Sequence, residues 1–278
     1  MATVASVPST SSGSPLRRRR PARTLRHAGI LAGRAILKIR RDPQQLIDVT
    51  LSPIIFVTMF VLLFGGAISG GATDGGDRRD YLLFVLPGIM AQAIVLASMG
   101  TGINLATDIT RGIFDRFRSL PIARSSPLTG LILGDVVRQL VALAVVILYG
   151  VLLGFRFRTG VLAVLAGCGL IMLFSFALGW IWAYLGLLVR SPQGVQGTVF
   201  LVAFPLTFAS NIFVPAGTLP GWLQGWVAVN PVSQLADTAR GLMVGGPVAG
   251  ALWPTLAWIA GIVLVFGPLA VLRYRRST

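Results

Sequence analysis

Six apolar runs, at about 46–68, 82–106, 131–153, 161–188, 197–216 and 253–272, dominate the chain. A helix rises 1.5 Å per residue, so roughly 20 such residues cross about 30 Å of hydrocarbon. Each run meets that length, and the fourth is long enough to tilt. The pattern predicts an all-α integral membrane protein with six transmembrane helices. Pro53, Pro87 and Pro205 fall inside runs. They predict kinks or interruptions whose freed backbone groups need nearby partners.

Between and before the runs lie shorter amphipathic patterns. From 24 to 41 basic and apolar positions alternate at helical spacing, with Arg34, Lys38 and Arg41 on one side and Ile30 and Ile39 available to another. That suits a helix lying in the membrane surface, broken by Asp42-Pro43. In "RGIFDRFRSLPIAR", Arg111–Arg124, the positions Ile109, Ile113, Phe117 and Leu120 share one face and Arg111, Asp115 and Arg118 another. This predicts a short helix over 108–120, ended by Pro121 and too short to span. The segment 217–252 is too long for a simple turn and too mixed for a seventh span. It predicts a re-entrant or interfacial helical hairpin, with Trp222 and Trp226 one turn apart and a second helix begun after Asn230-Pro231. Anchoring by tryptophan alone is the simpler alternative.

Charge fixes the orientation. Lys+Arg number 24 against nine Asp and no Glu, a net charge of +15, and 54% of residues are hydrophobic. With both termini inside, the cytoplasmic segments hold 18 basic residues and the outer ones five, Arg78, Arg79, Arg156, Arg158 and Arg240. The positive-inside rule therefore predicts N-in, C-in. Arg156 and Arg158 run against it locally. The excess is a topological signal rather than a nucleic-acid footprint, and no nucleic-acid partner is expected. The Ser/Pro/Thr-rich and then basic residues 1–23 read as a disordered cytoplasmic tail able to touch anionic lipid. Tyr81, Tyr149 and Trp253 near outer borders, and Trp182, Tyr184 and Tyr274 near inner ones, fit interfacial aromatic belts.

The cytoplasmic stretch carries four arginines with two interleaved phenylalanines. Arginine and aromatic side chains dominate buried anchors at interfaces, which favours a docking surface over an ordinary charged loop. "RGIFDRFRSLPIAR" resembles the coupling-helix segment of type-2 ABC exporter permeases, in the bacterial drug-resistance branch of daunorubicin-resistance-type membrane subunits. "RRDP" at 40–43 with Pro53 and "LFGG" at 63–66 resembles that family's opening, and "DYLLFVLPGIM" at 80–90 its second-span entry. "LPGWLQGWVAVNPVSQLADTARGLMVGG" at 219–246 resembles its segment between the last two spans. Together these cover most of 38–272. Many relatives carry glutamate where Asp115 stands.

The resemblance implies a membrane-spanning permease domain over 24–278 that pairs as a homo- or heterodimer in the bacterial inner membrane and exports hydrophobic drugs or antibiotics. A lipid or lipid-linked glycan is the alternative cargo. It implies a separate ABC ATP-binding subunit, two per complex, contacted by Arg111, Phe114, Asp115, Arg116, Phe117, Arg118 and Leu120. ATP and Mg are expected in that subunit. No G-x-x-x-x-G-K-[ST] phosphate loop exists in this chain, whose lone lysine sits in "AILKIRR".

Other groups have narrower readings. Gln92, Asn104, Phe204, Phe208 and Asn211 are candidates for the substrate pathway, although helix packing explains such residues equally well. Asp135 and Arg138, one turn apart in the third run, favour structural pairing. Trp222, Trp226, Asn230, Pro231 and Arg240 mark the outer hairpin. The lone Cys168 excludes an intrachain disulfide. A proton-driven secondary transporter would want ionisable groups at mid-membrane, and runs two, four, five and six contain none. A membrane enzyme would want a catalytic or metal-binding cluster, and the single histidine, His27, lies in the basic N-terminal region.

Overall fold

The computed structural model describes residues 43–63, 78–111, 126–189 and 191–276. These residues form α-helices, one short 3-10 turn and connecting segments, with no strand among them. In chain order the helices are α1 (Pro43–Leu63), α2 (Arg78–Ser98), α3 (Gly100–Thr110), α4 (Ser126–Leu152), α5 (Val161–Val189), α6 (Pro192–Phe208), α7 (Gly221–Val229), α8 (Pro231–Val244) and α9 (Ala249–Arg276). The first twenty-three residues, the 24–41 segment and residues 112–120, with Phe114, Asp115, Arg116, Phe117, Arg118 and Leu120, lie outside the described residues.

Three stretches are long and apolar enough to cross a membrane: Arg78–Thr110, Val161–Val189 and Ala249–Tyr274. Shorter apolar helices cover Leu51–Leu63 and Arg138–Leu152. α2 is the axis of the bundle and packs against α1, α4, α5 and α8. Leu82, Val85, Leu86, Ile89, Met90 and Ile94 are all buried along it, so it presents apolar side chains on every side. α5 joins it to α9 and α3.

Close approach needs small residues where helix backbones meet. A Cβ on Gly102 would lie 2.6 Å from the Trp182 carbonyl oxygen, and one on Gly186 would lie 2.8 Å from that of Gly102. α3 and α5 therefore touch through bare backbone. Several hydroxyls inside helices are satisfied locally: Thr107, Thr207 and Thr255 each donate to a carbonyl four residues back.

The helix ends differ from the apolar runs in instructive ways. The fifth run, 197–216, is helical only from Pro192 to Phe208 and continues as irregular backbone. Its start is moved forward by Ser191, whose hydroxyl accepts from the Gly194 N–H at 3.2 Å, with Pro192 at the first helical position. Its end follows Pro205, three residues before the last helical residue. The second run is one apolar stretch by composition but has a joint at Met99, dividing α2 from α3. α3 then closes at Arg111, within the amphipathic 108–120 segment.

Two aromatic residues expected at membrane borders are instead buried and bonded inside the protein. The Tyr81 hydroxyl donates to the Phe213 carbonyl at 3.1 Å, and Trp182 Nε1 donates to Ser98 Oγ at 2.8 Å. A buried amphipathic ring goes where its polar tip has a partner.

Candidate functional site

The irregular segment after α6, Ala209–Pro215, is the centre of the candidate site. Non-helical backbone at membrane depth persists only where protein satisfies its polar groups. Three consecutive carbonyls of this segment are satisfied by side chains. Arg240 Nη2 donates to Asn211 O at 2.6 Å and to Ile212 O at 3.0 Å, and Tyr81 takes the Phe213 carbonyl.

Arg240 reaches this position because α8 turns back into the bundle. Asn230 starts that helix by accepting the Val232 N–H at 2.9 Å, with Pro231 at the first helical position. The same Asn230 side chain donates to the carbonyls of Leu206 (2.9 Å) and Ala209 (3.2 Å), which the end of α6 leaves open. One face of α8 is then buried through Val232, Leu235, Ala236, Ala239 and Met243. α7 behaves oppositely and leaves Trp222 78% exposed.

Arg240 also grips the central helix. Its Nε donates to the Phe84 carbonyl at 2.8 Å, and its guanidinium carbon sits 4.0 Å from the centroid of the Phe84 ring. Pro87 strips the neighbouring Leu83 carbonyl of its intrahelical donor and loosens the helix there. Gly88 makes the room, since a Cβ on it would come within 3.1 Å of Arg240 Nη2. Asp237, one turn before Arg240, completes the clasp. It takes Arg240 Nη1 at 2.6 Å and both oxygens accept from Asn211 Nδ2 at 2.8 Å.

A wall of phenylalanine rings borders this clasp. Phe213 stacks on Phe60 with centroids 4.0 Å apart and lies 5.8 Å from Phe208. Phe208 stacks on Phe204 at 4.3 Å, Phe204 meets Phe200 at 5.2 Å, and Phe56 lies 6.1 Å from Phe208. The rings run from α1 across the irregular segment and down α6. Phe204 and Phe208 are 43% and 37% exposed, so part of the wall faces outward.

A second clasp sits at the α2–α3 joint. Arg138 pairs with Asp135 at 3.1 Å and donates to the Ala97 carbonyl at 2.9 Å, while Asp135 accepts from the Thr101 hydroxyl. Gly100 lies so close to Arg138 that a side chain there would collide with the guanidinium.

Of the residues selected from sequence, Asn211 and Arg240 come together, as do Phe204 and Phe208. Gln92 is buried in α2, and neither of its amide atoms has a hydrogen-bond partner among the described residues. Asn104 lies half-buried on α3, apart from the clasp and the wall. Arg111 caps the exposed end of α3. Sequence reasoning missed Asp237, Tyr81, Phe56, Phe60 and Phe213 as members of the site. For Asp237 a signal existed: Asp237 and Arg240 repeat the i,i+3 spacing recognised at Asp135 and Arg138.

The ABC-2 type transporter family model matches residues 26–244, which include both clasps, the wall and the segment from Arg111 onward. The chain belongs to the ABC-2 type transporter family. The permease is 43% identical over 260 residues to the daunorubicin resistance ABC transporter permease protein DrrB1 of Streptomyces coeruleorubidus, covering 93% of this chain and 90% of that one. It is 29% identical over 245 residues to a probable doxorubicin resistance ABC transporter permease protein, DrrC, of Mycobacterium tuberculosis, covering 88% and 87%. A more distant relative is the inner membrane transport permease YhhJ of Escherichia coli, 23% identical over 195 residues, or 68% of this chain and 51% of that one. The protein is thus the permease component of an ABC-type transporter and a multi-pass protein of the bacterial inner membrane.

Proposed function

We propose that this permease forms the membrane pathway of an exporter for hydrophobic, planar aromatic drugs, driven by separate ATP-binding subunits. The observation that carries this reading is the phenylalanine wall, partly exposed and braced by the Asn211–Asp237–Arg240 clasp. Stacked rings give a flat polycyclic molecule a face of matching shape, each aromatic pair contributing about 0.5–1.5 kcal/mol beyond simple burial. The names of the similar permeases, which refer to daunorubicin and doxorubicin resistance, support the same class of cargo.

In this reading α1, α2 with α3, α4, α5, α6 and α9 make six crossings with both termini in the cytosol, and α7 and α8 form the outer hairpin. α2 and α3 together run 33 residues. At 1.5 Å per residue that is about 50 Å, well beyond the roughly 30 Å of hydrocarbon. The far end therefore delivers Arg111 and residues 112–120 into the cytosol. There Phe114, Asp115, Arg116, Phe117, Arg118 and Leu120 dock on the ATP-binding subunit. Two such subunits bind ATP and Mg, and a second permease copy, identical or related, completes the pathway within the lipid. Export follows if ATP and drug bind the inward- and outward-open states with different affinity.

The test is daunorubicin efflux from cells that also make the partner ATPase. Phe204→Ala with Phe208→Ala should reduce apparent drug affinity roughly tenfold, the loss of about 1.4 kcal/mol of ring contact, with membrane insertion unchanged. Phe117→Ala with Arg118→Ala should instead abolish ATPase capture in a pull-down. Normal daunorubicin efflux by the first variant would remove the wall from the pathway and turn attention to a lipid or lipid-linked glycan.

A further inference from the structure

Arg156 and Arg158 stand where the positive-inside rule disfavours arginine, and the pathway makes no use of them. They line a cavity of about 540 Å³ together with Arg79, Asp80, Leu83 and Phe157. Three guanidinium groups face one carboxylate, and the nearest pairing, Arg158 to Asp80, is long at 3.9 Å with both partners well exposed. One aspartate cannot neutralise three arginines, and the described lining residues keep a net charge of +2.

The frame of this cavity is built rather than incidental. Phe155 is buried, its N–H donates to the Gly150 carbonyl at 2.9 Å, and its ring meets Phe157 edge-on at 5.1 Å. Gly154, at φ +101°, makes the turn that other residues rarely adopt. On the far side the Arg158 N–H donates to the Met243 carbonyl at 3.2 Å, and the Thr159 hydroxyl donates to that of Leu242 at 2.6 Å. The loop is thereby fixed to α4 at Phe155 and to α8 at Arg158 and Thr159, with Arg156 between the fixed points.

Directly beside it α4 ends and α5 begins with strongly exposed apolar side chains, among them Leu148, Leu152, Leu162 and Leu165. A basic cavity at the head of an apolar wall matches a molecule with one anionic head and long hydrocarbon tails. A free anion would use the arginines alone.

We propose that this cavity holds the phosphodiester head of an anionic phospholipid in the outer leaflet, its acyl chains lying along α4 and α5. Arg156 and Arg158 hold the phosphate as charge-assisted donors, and Leu83 and Phe157 receive the glycerol end. The inference rests on the six-crossing reading, which turns these faces of α4 and α5 toward lipid and places this end of the bundle outside the cytosol.

The purified permease in detergent, titrated with phosphatidylglycerol, phosphatidylcholine or inorganic phosphate and read by native mass spectrometry, tests the binding. The wild type should retain phosphatidylglycerol at least fivefold more than phosphatidylcholine. Arg156→Gln with Arg158→Gln should lose that preference while keeping the lipid-free melting temperature. Equal retention of the two lipids, an unchanged preference in the variant, or displacement of phosphatidylglycerol by millimolar phosphate would overturn the proposal. Arg156→Cys in a Cys168→Ser background, treated in intact cells with a membrane-impermeant thiol reagent, tests the side separately. Labelling from outside supports the outer-leaflet assignment. Protection until the cells are opened overturns the topology, whatever the lipid result.

Discussion

Two clasps of the same sequence design hold this permease, and they hold it differently. Each is an aspartate followed three residues later by an arginine, and each arginine lies against a glycine of the α2–α3 axis, Gly88 for Arg240 and Gly100 for Arg138. At the α2–α3 joint both partners are nearly buried, with side-chain exposures of 10% for Asp135 and 11% for Arg138, and the arginine serves one carbonyl besides its aspartate. At the α8 clasp Arg240 is 12% exposed but Asp237 is 43%, and the arginine serves three carbonyls from two parts of the chain. The joint clasp is chiefly an ion pair that splints two helices. The α8 clasp is chiefly a set of backbone hydrogen bonds, with the aspartate as orienter. A buried arginine with five donors in a fixed fork can replace the missing N–H groups of irregular backbone, which a lysine cannot do.

Substitutions can separate these descriptions. The largest effect is expected from Arg240→Ala, which orphans the Asn211 and Ile212 carbonyls at about 1–3 kcal/mol each and cuts their tie to α2. The expected result is loss of monodisperse protein in detergent chromatography, with Arg240→Lys rescuing little. Arg138→Ala should cost about 3–5 kcal/mol, since it takes one member out of a nearly buried ion pair. Arg138→Ala combined with Asp135→Asn should recover part of that loss in thermal melts. Asp237→Asn should be the mildest, about 1 kcal/mol or less, because its carboxylate is solvent-screened and the amide still meets Asn211. If Asp237→Asn proved as damaging as Arg138→Ala, the α8 clasp would be an ion pair after all.

Much of this architecture was legible in the chain. Apolar runs located the helices, Asn230-Pro231 announced α8, and the segment resemblances pointed to the family that the matches establish. The end of the fifth run was illegible by composition, because "NIFVP" is as apolar as the helix before it. What makes it irregular is the supply of donors from Arg240 and Tyr81, which lie 29 and 132 residues away from their acceptors. Hydropathy registers how oily a segment is and carries no information on who bonds its carbonyls. The rest of the phenylalanine wall escaped for a similar reason: Phe56 and Phe60 on α1 are far in sequence from Phe204 and Phe208, Phe213 lies beyond the end of α6, and only the fold stacks them. Arg240, counted at first as one outer charge among five, shows the reverse error, a topological tally hiding a structural role.

The Arg240 bond to the Phe84 carbonyl spans 156 residues of sequence. During synthesis the central helix must therefore wait for more than half the chain to follow before Arg240 can grip it. A chain stopped short of Arg240 would lack the fastening for the helices made before it as well as for α8.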